Sequence, residues 1–173
     1  CGEDGAVRVF FPPLTPRETL RRTGFLANFP QLCGSVHVFE GDEGDHERLL
    51  ARLESGADWG ECLRATEVVL TPAACYPLYA TQAGELPQEG RLFDFSAHCF
   101  RREPSDDPAR LQAFQVRENV RLGAPEQVRA WRQRWMERGA ALLTDLGLAA
   151  RLEVASDPFF GRGGRLMRAS RSE

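Results

Sequence analysis

The chain has 173 residues, of which 42% are hydrophobic, so it can bury a core and most simply forms one domain. Its formal charge of -3 disfavours a broad nucleic-acid surface. All 22 basic residues are arginine, which excludes a lysine nucleophile or Schiff base. Neither a membrane-spanning run nor a signal-peptide pattern is visible, so we expect a cytoplasmic protein.

The cysteines predict free thiols, and the two ends of the sequence predict a fragment. The cysteines are odd in number and lack CxxC spacing, which favours free thiols over a disulfide framework. They are Cys1, Cys33, Cys62, Cys75 and Cys99. The chain starts without methionine and stops after "RASRSE", so we expect a fragment of a longer protein.

The first elements in chain order are a strand and a short helix. The stretch "VRVFFPP", residues 7–13, alternates like a strand and ends at prolines, which cannot donate to a sheet. In the following "TPRETLRRTG", Thr15 is the expected N-cap, Pro16 the first helical residue and Glu18 the partner in a capping box. Gly24 is expected to end this helix.

The next segments alternate between strand and helix patterns. "SVHVFEG", residues 35–41, reads as a strand, and "DHERLLARLESG", residues 45–56, has leucines at helical spacing. "TEVVLTP", residues 66–72, predicts an apolar strand.

A long hairpin is predicted around the loop "PSDDPA". Its arms are "RLFDFSAHCFRRE", residues 91–103, and "RLQAFQVRENVRLG", residues 110–123. Alternate residues of a strand share a face. One face should therefore hold Arg101, Glu103, Arg110, Gln112, Phe114, Val116 and Glu118. The opposite face should turn Phe100 and Leu111 towards a core.

Two interpretations of this charged face stay open from the residues alone. Arginines, a carboxylate and an aromatic ring can hold the phosphates and base of a nucleotide. Cross-strand ion pairs on a solvated sheet face are the ordinary alternative.

The last predicted elements are a long helix and a strand. The helix starts at Pro125 and is stopped by Gly147, with most of its arginines off its apolar face. That face is formed by Val128, Trp131, Trp135, Leu142 and Leu146. "RLEVASDPFF", residues 151–160, predicts a strand that leads into the glycine-rich "FGRGGR". The order of elements predicts an α+β fold, an antiparallel sheet flanked by helices.

The hairpin resembles motif 2 of the class II aminoacyl-tRNA synthetases. "FRRE", a loop and "RLQAFQVRE", within residues 99–119, match the pattern Phe-Arg-x-Glu, loop, Arg-x-x-x-Phe-x-x-x-Glu. The resemblance implies that Arg101 binds the α-phosphate of ATP and the amino acid's carboxylate. It also implies that Glu103 binds the adenine amine, Arg110 the γ-phosphate and Phe114 the adenine ring. Such a site mainly positions reactants for in-line displacement at phosphorus.

A second stretch narrows the resemblance. "LTPAACYPLY", residues 70–79, is similar to a segment of seryl-tRNA synthetases, with Ala73 and Cys75 in place of a threonine and a glutamate. A cysteine there resembles the zinc-dependent branch, which contains the methanogen-type seryl-tRNA synthetases and the amino acid:[carrier protein] ligases. The resemblance implies that Cys75 and Glu118 bind Zn²⁺, and that Ala73, Cys75 and Glu118 contact the amino acid.

The continuous likeness from about residue 7 to 168 is to the carrier-protein ligases. It implies one class II catalytic domain over residues 1–173, incomplete at its C-terminus, with a motif 1-like segment at 7–13 whose Pro12 or Pro13 lies at a homodimer interface. It also implies use of ATP and Mg²⁺, a small substrate such as glycine or alanine, and transfer to the phosphopantetheine thiol of a carrier protein. A tRNA partner is not expected.

Some expected features are missing from the sequence. Motif 3 and a third conventional zinc ligand are not found after Cys99, and Gln115 stands where an arginine is expected. A fragment of an enzyme accounts for these gaps best. The alternatives are an inactive module for dimerisation or regulation, and a fragment of a seryl-type tRNA synthetase.

Overall fold

Two three-stranded sheets organise residues 4–153, the part of the chain that the computed structural model describes. The strands are β1 (Val7–Arg8), β2 (Leu14–Pro16), β3 (Ser35–Phe39), β4 (Leu63–Leu70), β5 (Arg91–Phe100) and β6 (Ala113–Leu122). The helices are α1 (Arg17–Arg22), α2 (Phe25–Asn28), α3 (Glu43–Ser55), α4 (Cys75–Thr81) and α5 (Pro125–Asp145). Short 3-10 turns cover Pro30–Leu32 and Trp59–Cys62.

The first sheet has the strand order β1-β5-β6 and contains the predicted hairpin. β5 and β6 pair antiparallel over their full lengths, whereas β1 pairs parallel with β5. The strand predicted over residues 7–13 is therefore shorter than expected. Pro12 and Pro13 have no N–H to donate, and Phe10 is 83% exposed before them.

The second sheet has the order β2-β4-β3, and both of its strand pairs are antiparallel. The predicted N-cap role of Thr15 is wrong. Thr15 belongs to β2 and is fully buried, and its hydroxyl forms a 2.7 Å hydrogen bond with the hydroxyl of Thr71. The predicted capping box of Glu18 is also absent, because its carboxylate pairs with Arg21 within α1.

The main core lies between the β5–β6 hairpin and α4. Buried Phe93, Phe95, Ala97 and Cys99 of β5 pack against Leu78 of α4. Val116 and Val120 of β6 are half-buried against this core. Apolar and polar residues alternate along both strands, so one face of the hairpin is apolar, and α4 covers that face.

The prediction that Phe100 and Leu111 face the core together is wrong. Leu111 is 63% exposed in the loop, and Phe100 is half-buried next to Gly34. The core-facing set instead begins at Cys99, which lies opposite Phe114. The face of the hairpin that packs against the core is the one that carries Phe114 and Val116, opposite to the face of Phe100, and Leu111 precedes the start of β6.

The two long helices match their sequence patterns. Asp42 caps α3 by accepting a hydrogen bond from the Asp45 amide, and Asp45 returns one to the Asp42 amide. α5 begins at Pro125 and ends within a residue of the predicted stop. No helix among the described residues is long and apolar enough to cross a bilayer.

The last predicted strand, residues 151–160, lies only partly within the described residues. Residues 151–153 form no strand, and the rest of the predicted strand, with "FGRGGR", lies outside the described residues.

Candidate functional site

Arg101 is held by two hydrogen bonds, one from its backbone and one from its side chain. Its amide donates to the Gln112 carbonyl at 2.8 Å, one step beyond the β5–β6 ladder. Its side chain is half-buried, and Nε donates to the Pro72 carbonyl at 2.9 Å. Because Nε is already bonded, the two Nη groups are the atoms that can bind an anion.

Phe114 and Arg101, predicted to share a face, lie in contact. The Arg101 Cζ atom lies 5.6 Å from the centroid of the Phe114 ring, within the range of a cation–π interaction. The ring also packs against the main core beside Cys99. The Phe114 ring therefore contacts both the hydrophobic core and the Arg101 guanidinium.

Arg110 and Glu103 lie in the loop rather than on the predicted strand arms. The loop starts early because Pro104 and Pro108 have no N–H for strand pairing. Within the loop, the Asp107 carboxylate accepts a hydrogen bond from the Ala109 amide. The Arg110 guanidinium lies 3.5 Å from the Glu103 carboxylate. Both side chains are more than a third exposed, so this ion pair contributes little to stability.

Cys75 and Glu118, which the resemblance assigns to one metal site, interact with each other where α4 packs against the hairpin. Cys75 is the first residue of α4, and Glu118 lies in the middle of β6 opposite Phe95. The thiol interacts with the carboxylate. Burial, reinforced by the Glu118 charge, raises the pKa of the Cys75 thiol to about 11. Burial also raises the pKa of the Glu118 carboxyl.

Three further groups around this pair were not identified from the sequence. Tyr79 follows Cys75 by one helical turn, and its hydroxyl interacts with the thiol. Cys99 is buried beside the Glu118 charge. The Pro72 carbonyl, which holds Arg101, is a backbone group with no side-chain signal. The four-residue spacing of Cys75 and Tyr79 could have shown that they share a helix face.

The two alanines of this segment have different surroundings. Ala73 is half-buried, whereas Ala74 is completely buried in the main core. Of the two, therefore, only Ala73 has surface that a substrate can contact.

The site supplies part of a metal-ligand set. Within residues 4–153, no group of three or more histidine, cysteine, aspartate or glutamate side chains could hold a metal ion. The Cys75 thiolate and the Glu118 carboxylate are suitable zinc donors, but they are only two. Two half-buried acidic groups that interact would repel each other when ionised, and a cation would remove that repulsion. The described residues therefore supply two donors of the kind that Zn²⁺ accepts and no complete ligand set.

Comparison with known proteins now gives the family context. No protein-family model matches the chain. It is 44% identical over 99% of its length to amino acid–[acyl-carrier-protein] ligase 1 of Bradyrhizobium diazoefficiens. It is 45% identical over 94% of its length to ligase 2 of that organism. The predicted resemblance is confirmed. The chain spans 53% and 49% of these two carrier-protein ligases, about half of each.

Solved structures confirm the predicted fold class. The seryl-tRNA synthetase of Methanopyrus kandleri, in a complex with a tRNA, has a TM-score of 0.67 and 23% identity. The match covers 84% of this chain and 30% of that one. The ATP complex of the seryl-tRNA synthetase of Pyrococcus horikoshii has a TM-score of 0.54 at 16% identity, covering 83% and 28%. The chain therefore shares its fold with parts of these two seryl-tRNA synthetases.

Proposed function

We propose that this chain forms the greater part of the catalytic core of an ATP-dependent amino acid:[carrier protein] ligase. The observation that carries the proposal is that Arg101 lies over Phe114 on one side while Cys75 meets Glu118 on the other. Four residues that the resemblance assigns to one reaction thus lie on the side of the β5–β6 hairpin that packs against α4. The named relatives, at 44% and 45% identity, are ligases of this type.

In the first step, a carboxylate oxygen of the amino acid attacks the α-phosphorus of ATP, and pyrophosphate leaves. The Nη groups of Arg101 bind the carboxylate and the α-phosphate, since Nε is held by the Pro72 carbonyl. Phe114 stacks on adenine. These residues act by orienting the reactants and by neutralising charge that develops at phosphorus. A Mg²⁺ ion accompanying ATP would neutralise the leaving pyrophosphate.

The loop residues change partners when ATP binds. Arg110 turns to the γ-phosphate and Glu103 to the adenine amine, so their mutual ion pair is broken. That exchange costs little because both side chains are substantially exposed.

The amine end of the substrate lies at Cys75 and Glu118. A zinc ion bound there would act as a Lewis acid for the neutral amine, with its ligand set completed by a group beyond these two. Because the thiol is protonated at neutral pH in the free site, metal binding must release its proton. The resemblance also leads us to propose a small amino acid, glycine or alanine, as the substrate, with half-buried Ala73 as one of its contacts.

In the second step, the thiol of a carrier protein's phosphopantetheine attacks the adenylate carbonyl. A thioester forms, AMP leaves, and the thiol proton passes to solvent or to the leaving phosphate. We also propose that the protein works in the cytoplasm as a homodimer, with exposed Pro12 and Pro13 at the interface.

The decisive assay is amino-acid-dependent exchange of pyrophosphate into ATP, run on this chain and on the complete product of its gene. Arg101→Lys keeps the charge but loses the planar fork, so we expect exchange to fall by about a hundredfold. Arg102→Lys is the matched control, because Arg102 is exposed next to it and has no assigned role.

The other outcomes distinguish the alternatives. Exchange with glycine or alanine, followed by a mass increase of a holo carrier protein, supports the proposal. Serine-dependent exchange with charging of tRNA would instead indicate a seryl-type synthetase. Absence of exchange with every amino acid in the complete gene product would indicate a module without catalysis.

A further inference from the structure

Tyr76 is half-buried and directly follows Cys75 in the first turn of α4. Its ring stands edge-on to the ring of Phe25 in α2, with the centroids 5.4 Å apart at an interplanar angle of 78°. Phe25 is itself buried, and with Leu20 and Val69 it forms a second hydrophobic cluster against which Tyr76 packs. This packing fixes the position of the tyrosine ring.

The hydroxyl at the other end of the ring is available to a ligand. Among residues 4–153 it has no hydrogen-bond partner, and its oxygen is accessible to solvent. Half-buried tyrosine hydroxyls are usually bonded. Water can take that place in the free protein, and a substrate group of the right chemistry can replace the water.

This hydroxyl lies near both ends of the proposed amino acid site. It interacts electrostatically with the Arg101 guanidinium and with the Cys75 thiol. Arg101 is the proposed ligand of the substrate's carboxylate, and Cys75 lies at the proposed amine end. In an α-amino acid the carboxylate and the amine are attached to one carbon. A group that interacts with both Arg101 and Cys75 is therefore close to any amino acid bound between them.

The chemistry of a tyrosine hydroxyl suits the carboxylate end. A tyrosine hydroxyl ordinarily titrates near a pKa of about 10, so it carries its proton at neutral pH and can donate. An ionised carboxylate only accepts, and its two oxygens offer about four lone-pair sites. It can therefore accept from the Nη groups of Arg101 and from a hydroxyl at the same time.

We propose that the Tyr76 hydroxyl donates a hydrogen bond to the carboxylate of the substrate amino acid, beside the guanidinium of Arg101. This inference rests on the proposed function, since it requires an amino acid in the site. The hydroxyl bonds to the carboxylate oxygen that does not attack phosphorus, and it keeps its own proton throughout. The other oxygen is thereby oriented towards the α-phosphorus of ATP.

The test compares Tyr76→Phe with the wild type in amino-acid-dependent exchange of pyrophosphate into ATP, using the complete gene product. Phenylalanine keeps the ring that packs on Phe25 and removes only the hydroxyl. Because the lost hydrogen bond is to a charged group, the KM for the amino acid should rise by about tenfold to a hundredfold. The KM for ATP should change by less than about twofold, a split that a general loss of structure does not produce.

Thr81→Val is the matched control, because it removes another hydroxyl of α4 at the far end of the helix, where that hydroxyl donates to the Leu78 carbonyl. It should leave both KM values unchanged. Urea unfolding of the two variants shows that each is folded in the assay. An unchanged KM for the amino acid in Tyr76→Phe, an equal rise in the KM for ATP, or the same rise in Thr81→Val would overturn the proposal.

Failure of this inference can be separated from failure of the proposed function. Exchange in the wild type with no change of the amino acid's KM in Tyr76→Phe would refute the role of Tyr76 alone. Absence of exchange in the wild type with every amino acid would refute the proposed function, and this inference with it.

Discussion

The hydrogen bond between Thr15 and Thr71 should behave as a coupled pair. Both residues are almost fully buried, and their hydroxyl oxygens lie 2.7 Å apart where β2 meets the end of β4. Thr15→Val removes one hydroxyl and leaves that of Thr71 buried and unpaired. Thr71→Val does the reverse. The pair also supports the site, because the Thr71 carbonyl accepts from the Phe100 amide next to Arg101.

Each single variant should lose about 1–3 kcal/mol, the cost of an unsatisfied buried hydroxyl. The double variant places two methyl groups against each other and should be close to the wild type in stability. Urea unfolding followed by circular dichroism measures these changes. With a slope of about 2 kcal/mol per M, a loss of 2 kcal/mol lowers the midpoint by about 1 M.

The free energy of unfolding of the Thr15→Val, Thr71→Val double variant decides the prediction. If its destabilisation equals the sum of the two single losses, the hydroxyls do not depend on each other and the reasoning is wrong. A changed urea slope would show instead that the variants alter the compactness of one state.

Three other predictions concern the core, the sheet and the site. Gly34→Ala should destabilise the fold by about 1–3 kcal/mol, because its Cβ would lie 2.7 Å from the Phe100 ring. The Arg117 guanidinium holds the pKa of the buried Asp94 carboxyl below its ordinary value of 3.8, so this pair's stabilisation is present at neutral pH. It should be lost as pH falls below that value, and Asp94→Asn should flatten the acid side of a stability–pH curve. Phe114→Leu should raise the KM for ATP in pyrophosphate exchange about tenfold, since stacking on the base is lost.

Matched variants control each of these. Gly139→Ala in α5 meets no atom within 4 Å and should stabilise the chain by about 0.5–1 kcal/mol. Asp106→Asn, at an exposed loop position, should leave the acid unfolding profile unchanged. Phe39→Leu, on β3, should leave the KM for ATP unchanged. A loss in the Gly139 variant as large as that in Gly34→Ala would contradict the steric argument.

Elements whose signals are local were predictable from the sequence. The capping residues and leucine spacing of α3, and the proline start of α5, act within a few residues of one another. The alternation in β5 and β6 likewise indicated a hairpin, and the two strands pair over ten residues each.

The errors involve partners distant in the chain. Thr15 has a good capping pattern, yet Thr71, 56 residues away, takes its hydroxyl. β1 pairs parallel with β5, a contact that no short-range pattern indicates. Leu111 was assigned to the core by extending the strand alternation through a loop that prolines had already interrupted.

The arrangement around the site was only partly predictable. The resemblance suggested that Cys75 and Glu118 lie together, and the structure brings them into contact. The roles of these residues in binding remain predictions. The role of the Pro72 carbonyl could not be inferred, because it depends on how the segment before α4 lies against the hairpin.

The short segment from Pro72 to Cys75 fixes a distance within the proposed substrate site. Pro72 fixes the guanidinium of Arg101, and Cys75, three residues later, faces Glu118. The proposed carboxylate-binding and amine-binding ends are thus both held by the short segment from Pro72 to Cys75, which sets their separation. We therefore expect a β-amino acid, with one more methylene between its two polar ends, to be rejected for its length rather than for its side chain.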